Sequence, residues 1–219
     1  MTLPVERPRL ILWGSGTPRT LRAHWVLNEL GLDYETRPIG SRTGETRTPE
    51  YRQLNPKEKV PTLQDGTFTL TESAAIVTYL AEKYGGPIGL IPPAASPERA
   101  VYYEWSYFTM MELDALSLYV LRRHSGLPDV YGDAPNAVRA ARESFEKQVE
   151  VADQKLSLQG PFILGNTFTG ADILLTSCLT WADRYSLPLT ETLLQYRERI
   201  TSREAYRIAV EANRRPGQG

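Results

Sequence analysis

Apolar positions along the first 84 residues change their period several times. RLILW (9–13) is a short unbroken apolar run that stops at Gly14, the pattern of a buried strand. Residues 18–30 then place Leu21, Trp25, Val26, Leu27 and Leu30 at helical spacing. Pro18 suits the first helical turn, where a missing N–H costs little, and Gly31 is a natural stop after the last turn. DYETRPI (33–39) reads as a second strand, and the polar stretch 40–56 holds a short helix near 48–54. In PTLQDGTFTL (61–70) Asp65-Gly66 separates two short β-like runs, which predicts a hairpin. ESAAIVTYLAEKY (72–84) returns to a helical, strongly apolar pattern.

A parallel βαβ crossover followed by an antiparallel hairpin predicts a mixed sheet with helices packed on it. GGPIGLIPPAASP (85–97) holds three Gly and four Pro, a linker composition. Beyond it the strand pattern disappears. Long helices are expected over 97–123 and about 136–158, with a Gly/Pro/Asp-rich break at 125–135. GPFILGN (160–166) reads as a loop, 170–185 as an apolar helix, and 190–213 as one or two more helices. The fold class is therefore α/β plus all-α. Residues 1–84 form a small domain with a mixed sheet, 85–97 a linker and 98–219 an all-helical C-terminal bundle.

Composition narrows the function more than the fold. The 219 residues are 41% apolar and 23% charged, ordinary for a folded globular chain. Lys plus Arg number 25 against 26 Asp plus Glu, a net charge of −1 that offers no footprint for nucleic acid or an anionic membrane. No apolar run approaches the ~18 residues of a membrane span. A single cysteine, Cys178, excludes an internal disulfide framework, and with only His24 and His124 a metal centre is not expected. MTLPVERPRLILW carries no signal-peptide core, so the expected compartment is the reducing cytoplasm.

Three short stretches of the N-terminal half carry candidate chemistry. Thr17-Pro18 stands between the first strand and the first helix. It can be a plain N-cap, or a hydroxyl beside the positive end of a helix, where a thiolate is favoured. Val60-Pro61 leads into the hairpin. It is either an ordinary strand start or, if cis, a bend that offers the Val60 backbone to an extended peptide. Glu72-Ser73 opens the third helix. It is either routine helix-start decoration or a site for an amino-acid headgroup, with Ser73 and the helix end taking a carboxylate and Glu72 an ammonium.

In this order and spacing the three stretches resemble the glutathione transferase superfamily, over roughly residues 9–214. NPKEKVPTL (55–63) and LTESAAIVTYL (70–80) are similar to its N-P-x-x-x-V-P-x-L and E-S-x-A-I signatures. LRAHWVLNELGLDYE (21–35) resembles its first helix running into the second strand. FTGADILL (168–175) resembles its structural capping segment, with Thr169 as cap and Asp172 three residues on. The resemblance implies a thioredoxin-like N-terminal domain, glutathione as co-substrate, no metal and a homodimer. The helices at 72–84 and 97–123 are candidates for its two-fold interface. It implies that Val60 beside Pro61 holds the cysteinyl backbone, that Glu72 and Ser73 hold the γ-glutamyl end, and that Lys59 sits near the cysteinyl–glycyl part. Lys57, Arg42 and Arg47 are the candidate cations for the glycyl carboxylate.

Thr17 falls at the family's catalytic position. Pro18 and Arg22 match an Omega-like C-P-x-x-x-R, and Thr17-Pro18 matches the first two residues of the Nu-like T-P-N, from which Arg19 departs. Without a cysteine there, the site forms no mixed disulfide of its own with glutathione. A threonine hydroxyl is too weakly acidic to act as a base, so its role is to donate a hydrogen bond to the thiolate. Lowering a thiol pKa of about 8.5 by one to two units takes roughly 1.4–2.8 kcal/mol, within reach of one charge-assisted hydrogen bond plus a helix terminus. Ser15 is the rival hydroxyl, and Arg19 is a candidate for placing positive charge near the sulfur. By family placement the second substrate, a hydrophobic electrophile or a disulfide, would lie along the first helix of the second domain. Tyr103, Tyr107 and Met111 are its candidate lining.

Overall fold

The computed structural model describes residues 10–215. The start of the predicted first strand at residue 9, and the part of the N-terminal stretch read for a signal peptide that precedes residue 10, lie outside the described residues. Two compact units divide the chain. One comprises the residues through Leu80 together with those from Glu204 onward; the other comprises Ala81–Arg203.

In the first unit, β1 (Leu10–Ser15), β2 (Tyr34–Gly40), β3 (Thr62–Asp65) and β4 (Phe68–Thr71) form one sheet in the order β2-β1-β3-β4. β1 and β2 are parallel, joined through α1 (Pro18–Glu29), whereas β1/β3 and β3/β4 are antiparallel. This is the mixed sheet that the sequence predicts. Leu12 and Leu63 pair across β1 and β3 and are fully buried. Trp25, Val26 and Leu27 of α1 and Ile76, Val77 and Leu80 of α3 (Ser73–Tyr84) complete the apolar interior. The hairpin turn sits one residue later than the sequence suggests. Asp65 still pairs with Phe68, so Gly66 (φ +60°) and Thr67 make the two-residue loop. The short α2 (Pro49–Leu54), capped by the Thr48 hydroxyl, precedes β3.

The last helix, α10 (Glu204–Ala212), packs on α1, with the Tyr206 ring edge-on to Trp25 at 4.7 Å. The sequence assigns it to the C-terminal bundle. Its periodicity shows only an apolar face, and in the structure α1 meets that face.

The second unit is helical. α4 (Pro97–Phe108) continues into a π-helical segment, Thr109–Leu118, then α5 (Tyr119–His124). A short α6 (Pro128–Tyr131) lies in the Gly/Pro/Asp-rich break, followed by the long α7 (Pro135–Gln159). α8 (Gly170–Ala182) is apolar and buried throughout most of its length, with α9 (Glu191–Thr201) beside it. The core draws on Leu113, Leu118 and Leu121, Phe145 and Ala152, and Ile173, Leu174, Leu175 and Leu179. Among the described residues no helix is long and apolar enough to cross a membrane.

Candidate active site

Strand directions bring the three candidate stretches of the first unit to one end of the sheet. β1 runs out at Ser15, and its antiparallel neighbour β3 begins at Thr62, opposite Trp13. β4 ends at Thr71, which pairs with the same Thr62. The turns after β1, before β3 and after β4 therefore share that edge. They carry Thr17, Val60-Pro61 and Glu72-Ser73.

Thr17 is the N-cap of α1, in extended conformation before Pro18. Its Oγ1 accepts from the Thr20 N–H (3.0 Å), while Thr20 Oγ1 accepts from the Thr17 N–H (3.0 Å). The two hydroxyls face each other at 2.9 Å. This is a capping box built from two threonines rather than a threonine and a glutamate. Thr17 keeps 9% exposure, whereas Thr20 and Ser15 keep none. Ser15 Oγ has no hydrogen-bond partner. Arg19 is half-buried in the same turn.

Val60-Pro61 is a cis peptide bond. The loop before it is held from inside by Tyr51 and Asn55, both buried. The Tyr51 hydroxyl bonds to the Lys59 carbonyl and to Thr62 Oγ1 (2.8 Å), and Asn55 Nδ2 donates to the Lys59 carbonyl (2.8 Å). Burial raises the Tyr51 pKa, so this hydroxyl stays protonated as a strut. Val60 also packs against the β1 turn. A side chain on Gly14 (φ +113°) would place its Cβ 2.5 Å from Val60 Cβ and 2.9 Å from Thr20 Cγ2. Glycine at that position is what allows the two turns to close on each other.

Glu72 adopts a left-handed backbone (φ +70°), rare for a side chain and characteristic of functional turns. Its carboxylate is exposed and receives Lys57 Nζ at 2.7 Å. Ser73, nearly buried, accepts from Arg22 Nη1 at 3.2 Å, and Arg22 is fully buried beneath it. With its oxygen accepting from a guanidinium, the Ser73 hydroxyl still has its own proton to donate. Of the other candidate cations, Arg47 lies 3.7 Å from Glu58, and Arg42 sits in a left-handed turn.

His24 is buried against the back of the β1 turn. A carbonyl only accepts, so Nε2 donates to the Gly14 C=O (3.2 Å) and Nδ1 accepts from the Tyr34 hydroxyl (2.9 Å). Burial lowers its pKa to about 4, although the Gly14 hydrogen bond opposes that shift. It stays neutral at physiological pH.

Tyr103, Tyr107 and Met111 belong to the second unit. Tyr103 and Tyr107 stack with ring centres 6.1 Å apart and planes at 13°. Arg99 Nη1 bonds to the Tyr103 hydroxyl at 3.3 Å. Tyr107 and Met111 are 66% and 56% exposed. Met111 lies inside the π-helical segment, where backbone bonds span five residues, as in the Tyr119 N–H donating to the Asp114 carbonyl. The four-residue ladder expected from sequence therefore holds for the two tyrosines and changes pitch before Met111.

The capping segment of α8 forms as expected. Asp172, fully buried, accepts from the N–H of Thr169 and Ile163, each at 2.8 Å, and from the Tyr196 hydroxyl at 2.8 Å. Burial pushes its pKa up against those bonds. Cys178 is buried on the same helix.

The site contains residues the sequence reading did not assign: Thr20, Tyr51, Asn55 and, at the far end of the chain, Asn213. A capping pattern with threonine at its fourth position was the available signal for Thr20. Nothing local marked Asn213.

Two family models match the chain: Glutathione S-transferase, N-terminal domain, over residues 8–82, and Glutathione S-transferase, C-terminal domain, over 135–208. Glutathione S-transferase D7 of Drosophila melanogaster is 30% identical over 177 residues, 80% of this chain and 75% of that protein. Glutathione S-transferase 3 of Zea mays is 34% identical over 71% of this chain and 70% of its own length. Among solved structures, the theta class glutathione S-transferase of Xanthomonas axonopodis pv. citri with glutathione bound is 30% identical. Its TM-score is 0.79 over 93% of this chain and 97% of that one.

Proposed function

Because the chain belongs to the glutathione S-transferase family, we propose that it binds reduced glutathione at the shared sheet edge and activates it as a thiolate. The thiolate then attacks a hydrophobic electrophile, giving a thioether. One observation carries the reading: the turns bearing Thr17, Val60-Pro61 and Glu72-Ser73 meet at one end of the sheet. The relative from Xanthomonas with glutathione bound supports it.

In this reading Val60 pairs its backbone with the cysteinyl residue, beside Pro61, and Lys59 lies toward the cysteinyl–glycyl part. Glu72 takes the γ-glutamyl ammonium, and Ser73, backed by the Arg22 guanidinium, donates to its carboxylate. The Lys57–Glu72 pair is half-exposed, so displacing it costs about 1 kcal/mol or less. Thr17 is the sulfur donor in preference to Ser15, because Thr17 retains exposure and Ser15 has none. Arg19, in the first turn, adds positive charge near the sulfur. Tyr103, Tyr107 and Met111 line the electrophile's place. A homodimer in a reducing cytoplasm completes the reading.

The Thr17-Pro18 pair, similar to Nu-like members, favours a second reaction at the same site, glutathione-dependent reduction of a disulfide or peroxide. Calorimetric titration with reduced glutathione is the first test. Saturable binding near one per chain, lost in Glu72→Ala, is expected. No binding up to millimolar glutathione would refute the reading and leave a binding or regulatory protein of this fold. Assaying the wild type with an activated aryl chloride and with a glutathione-reducible disulfide then separates conjugation from reduction. Thr17→Val should lose activity on the preferred substrate while keeping glutathione affinity.

A further inference from the structure

Asn213, the residue after α10, reaches back 193–197 residues in sequence to the turn that carries Thr17. Its backbone carbonyl accepts from the Gly16 N–H at 2.7 Å. Its side-chain Oδ1 accepts from the same N–H at 3.2 Å and from the Thr20 hydroxyl at 2.6 Å. Its Nδ2 donates to the Thr17 carbonyl at 3.1 Å. The amide orientation is forced, because the Gly16 N–H only donates and the Thr17 carbonyl only accepts.

Following each proton shows what this does. The Thr17 carbonyl already accepts from the Leu21 N–H (3.0 Å) and from Asn213, so both of its lone pairs are used. The Thr20 hydroxyl lies 2.9 Å from that carbonyl and 2.6 Å from Asn213 Oδ1; with the carbonyl already engaged twice, its proton goes to the shorter contact, Oδ1. Thr20 Oγ1 accepts from the Thr17 N–H and keeps one lone pair, which faces the Thr17 hydroxyl. The Thr17 Oγ1 accepts from the Thr20 N–H. Only the Thr17 proton rests on a replaceable partner, a neutral hydroxyl. A thiolate is the stronger acceptor and can recruit it.

We propose that Asn213 is a positioning residue for Thr17: it fixes the β1–α1 turn and the direction of the Thr20 proton, so that the Thr17 hydroxyl is the one free to donate to the glutathione sulfur. The inference rests on the glutathione reading above. Removing the side chain leaves the turn a single anchor, the backbone bond from Gly16, and releases the Thr20 proton to other acceptors. Asn213→Asp keeps both acceptor positions, loses the donor to Thr17 and adds a negative charge beside the thiolate.

The test is a pH titration of the ultraviolet thiolate absorbance of enzyme-bound glutathione. Asn213→Ala should raise the bound thiol pKa by about half to one unit, a threefold to tenfold loss of thiolate on the acid side. Asn213→Asp should raise it at least as far. In a Thr17→Val background Asn213→Ala should add no further shift, because the hydroxyl it positions is gone. Binding of S-methylglutathione, which has no thiol, should be unchanged in both single variants; a merely structural role would weaken it. An unchanged thiol pKa, or shifts that add across the two sites, overturns the proposal. If Asn213→Ala does not fold, the isosteric Asn213→Asp decides by the same measure. Failure of wild-type protein to bind S-methylglutathione or glutathione removes the glutathione reading itself, and this inference with it.

Discussion

Acid should unfold this protein earlier than its carboxylates alone require, and His24 is the reason. The side chain is fully buried, and both ring nitrogens are committed in the neutral form. Its pKa falls from 6.5 to about 4, chiefly by desolvation. In the unfolded chain the imidazole takes up a proton as the pH drops below 6.5; in the folded chain it does not until near 4. Between those values the unfolded state binds more protons, so stability rises with pH. The contribution is fully present above 6.5 and is lost as the pH falls toward 4. At 1.36 kcal/mol per pH unit, the gap is worth roughly 3 kcal/mol, a sizeable part of a typical domain's total.

Protonation also has a local consequence. It turns Nδ1 from acceptor to donor against the Tyr34 hydroxyl, which already receives Asn28 Nδ2 at 3.3 Å. The bond from Nε2 to Gly14 lies three residues from Thr17, so the β1 turn loosens with the histidine. Urea unfolding of wild type and His24→Gln at matched protein concentration, from pH 7 down to about 4.5, measures the effect. His24→Gln should be less stable at neutral pH, and its stability should fall less steeply with acid. The two curves should converge by roughly 2–3 kcal/mol across the range. Parallel curves would refute the argument.

Two further outcomes follow from single contacts. Lys57→Met should tighten glutathione by up to about fivefold, because it removes a cation that occupies Glu72; calorimetric weakening would instead place Lys57 on a glutathione carboxylate. Tyr196→Phe should cost about 1.5–3 kcal/mol in urea unfolding, since it takes a buried hydrogen bond from the Asp172 carboxylate. A loss below about half a kcal/mol would show that the two N–H donors from Ile163 and Thr169 suffice.

Much of this was legible because it is local. The Asp65-Gly66 signal, the Pro18 and Gly31 punctuation and the two short β-like runs of 61–70 depend on neighbours within a few positions, and the strands and helices followed within a residue or two. The Thr169–Asp172 cap was readable for the same reason. The π-helical stretch was not. Its buried leucines, Leu113 and Leu118, lie five residues apart, but two positions make no period, and the change of pitch is made by backbone bonds that carry no residue-type signature.

The candidate site divides along the same line. Thr17, Val60-Pro61 and Glu72-Ser73 are short motifs tied to element boundaries, so sequence places them. Their convergence depends on strand order, which the pairing of β3 against β1 supplies and the mixed-sheet pattern alone does not. What sequence leaves open is which groups fix the protons among them. Arg22 matches a motif position in the sequence, but only the fold shows it buried under Ser73 and donating to its hydroxyl. Asn213 looks like a helix end, and α10 looks like part of the bundle. Only when α10 packs on α1 does the amide meet Gly16, Thr17 and Thr20. A hydrogen bond across nearly 200 residues leaves no periodicity and no spacing rule. A threonine, weaker as a donor than cysteine is as a nucleophile, depends on such remote fixing more than a reactive side chain would. In the proposed role Thr17 would contribute one hydrogen bond to the thiolate, and that bond is only as strong as the geometry that aims it.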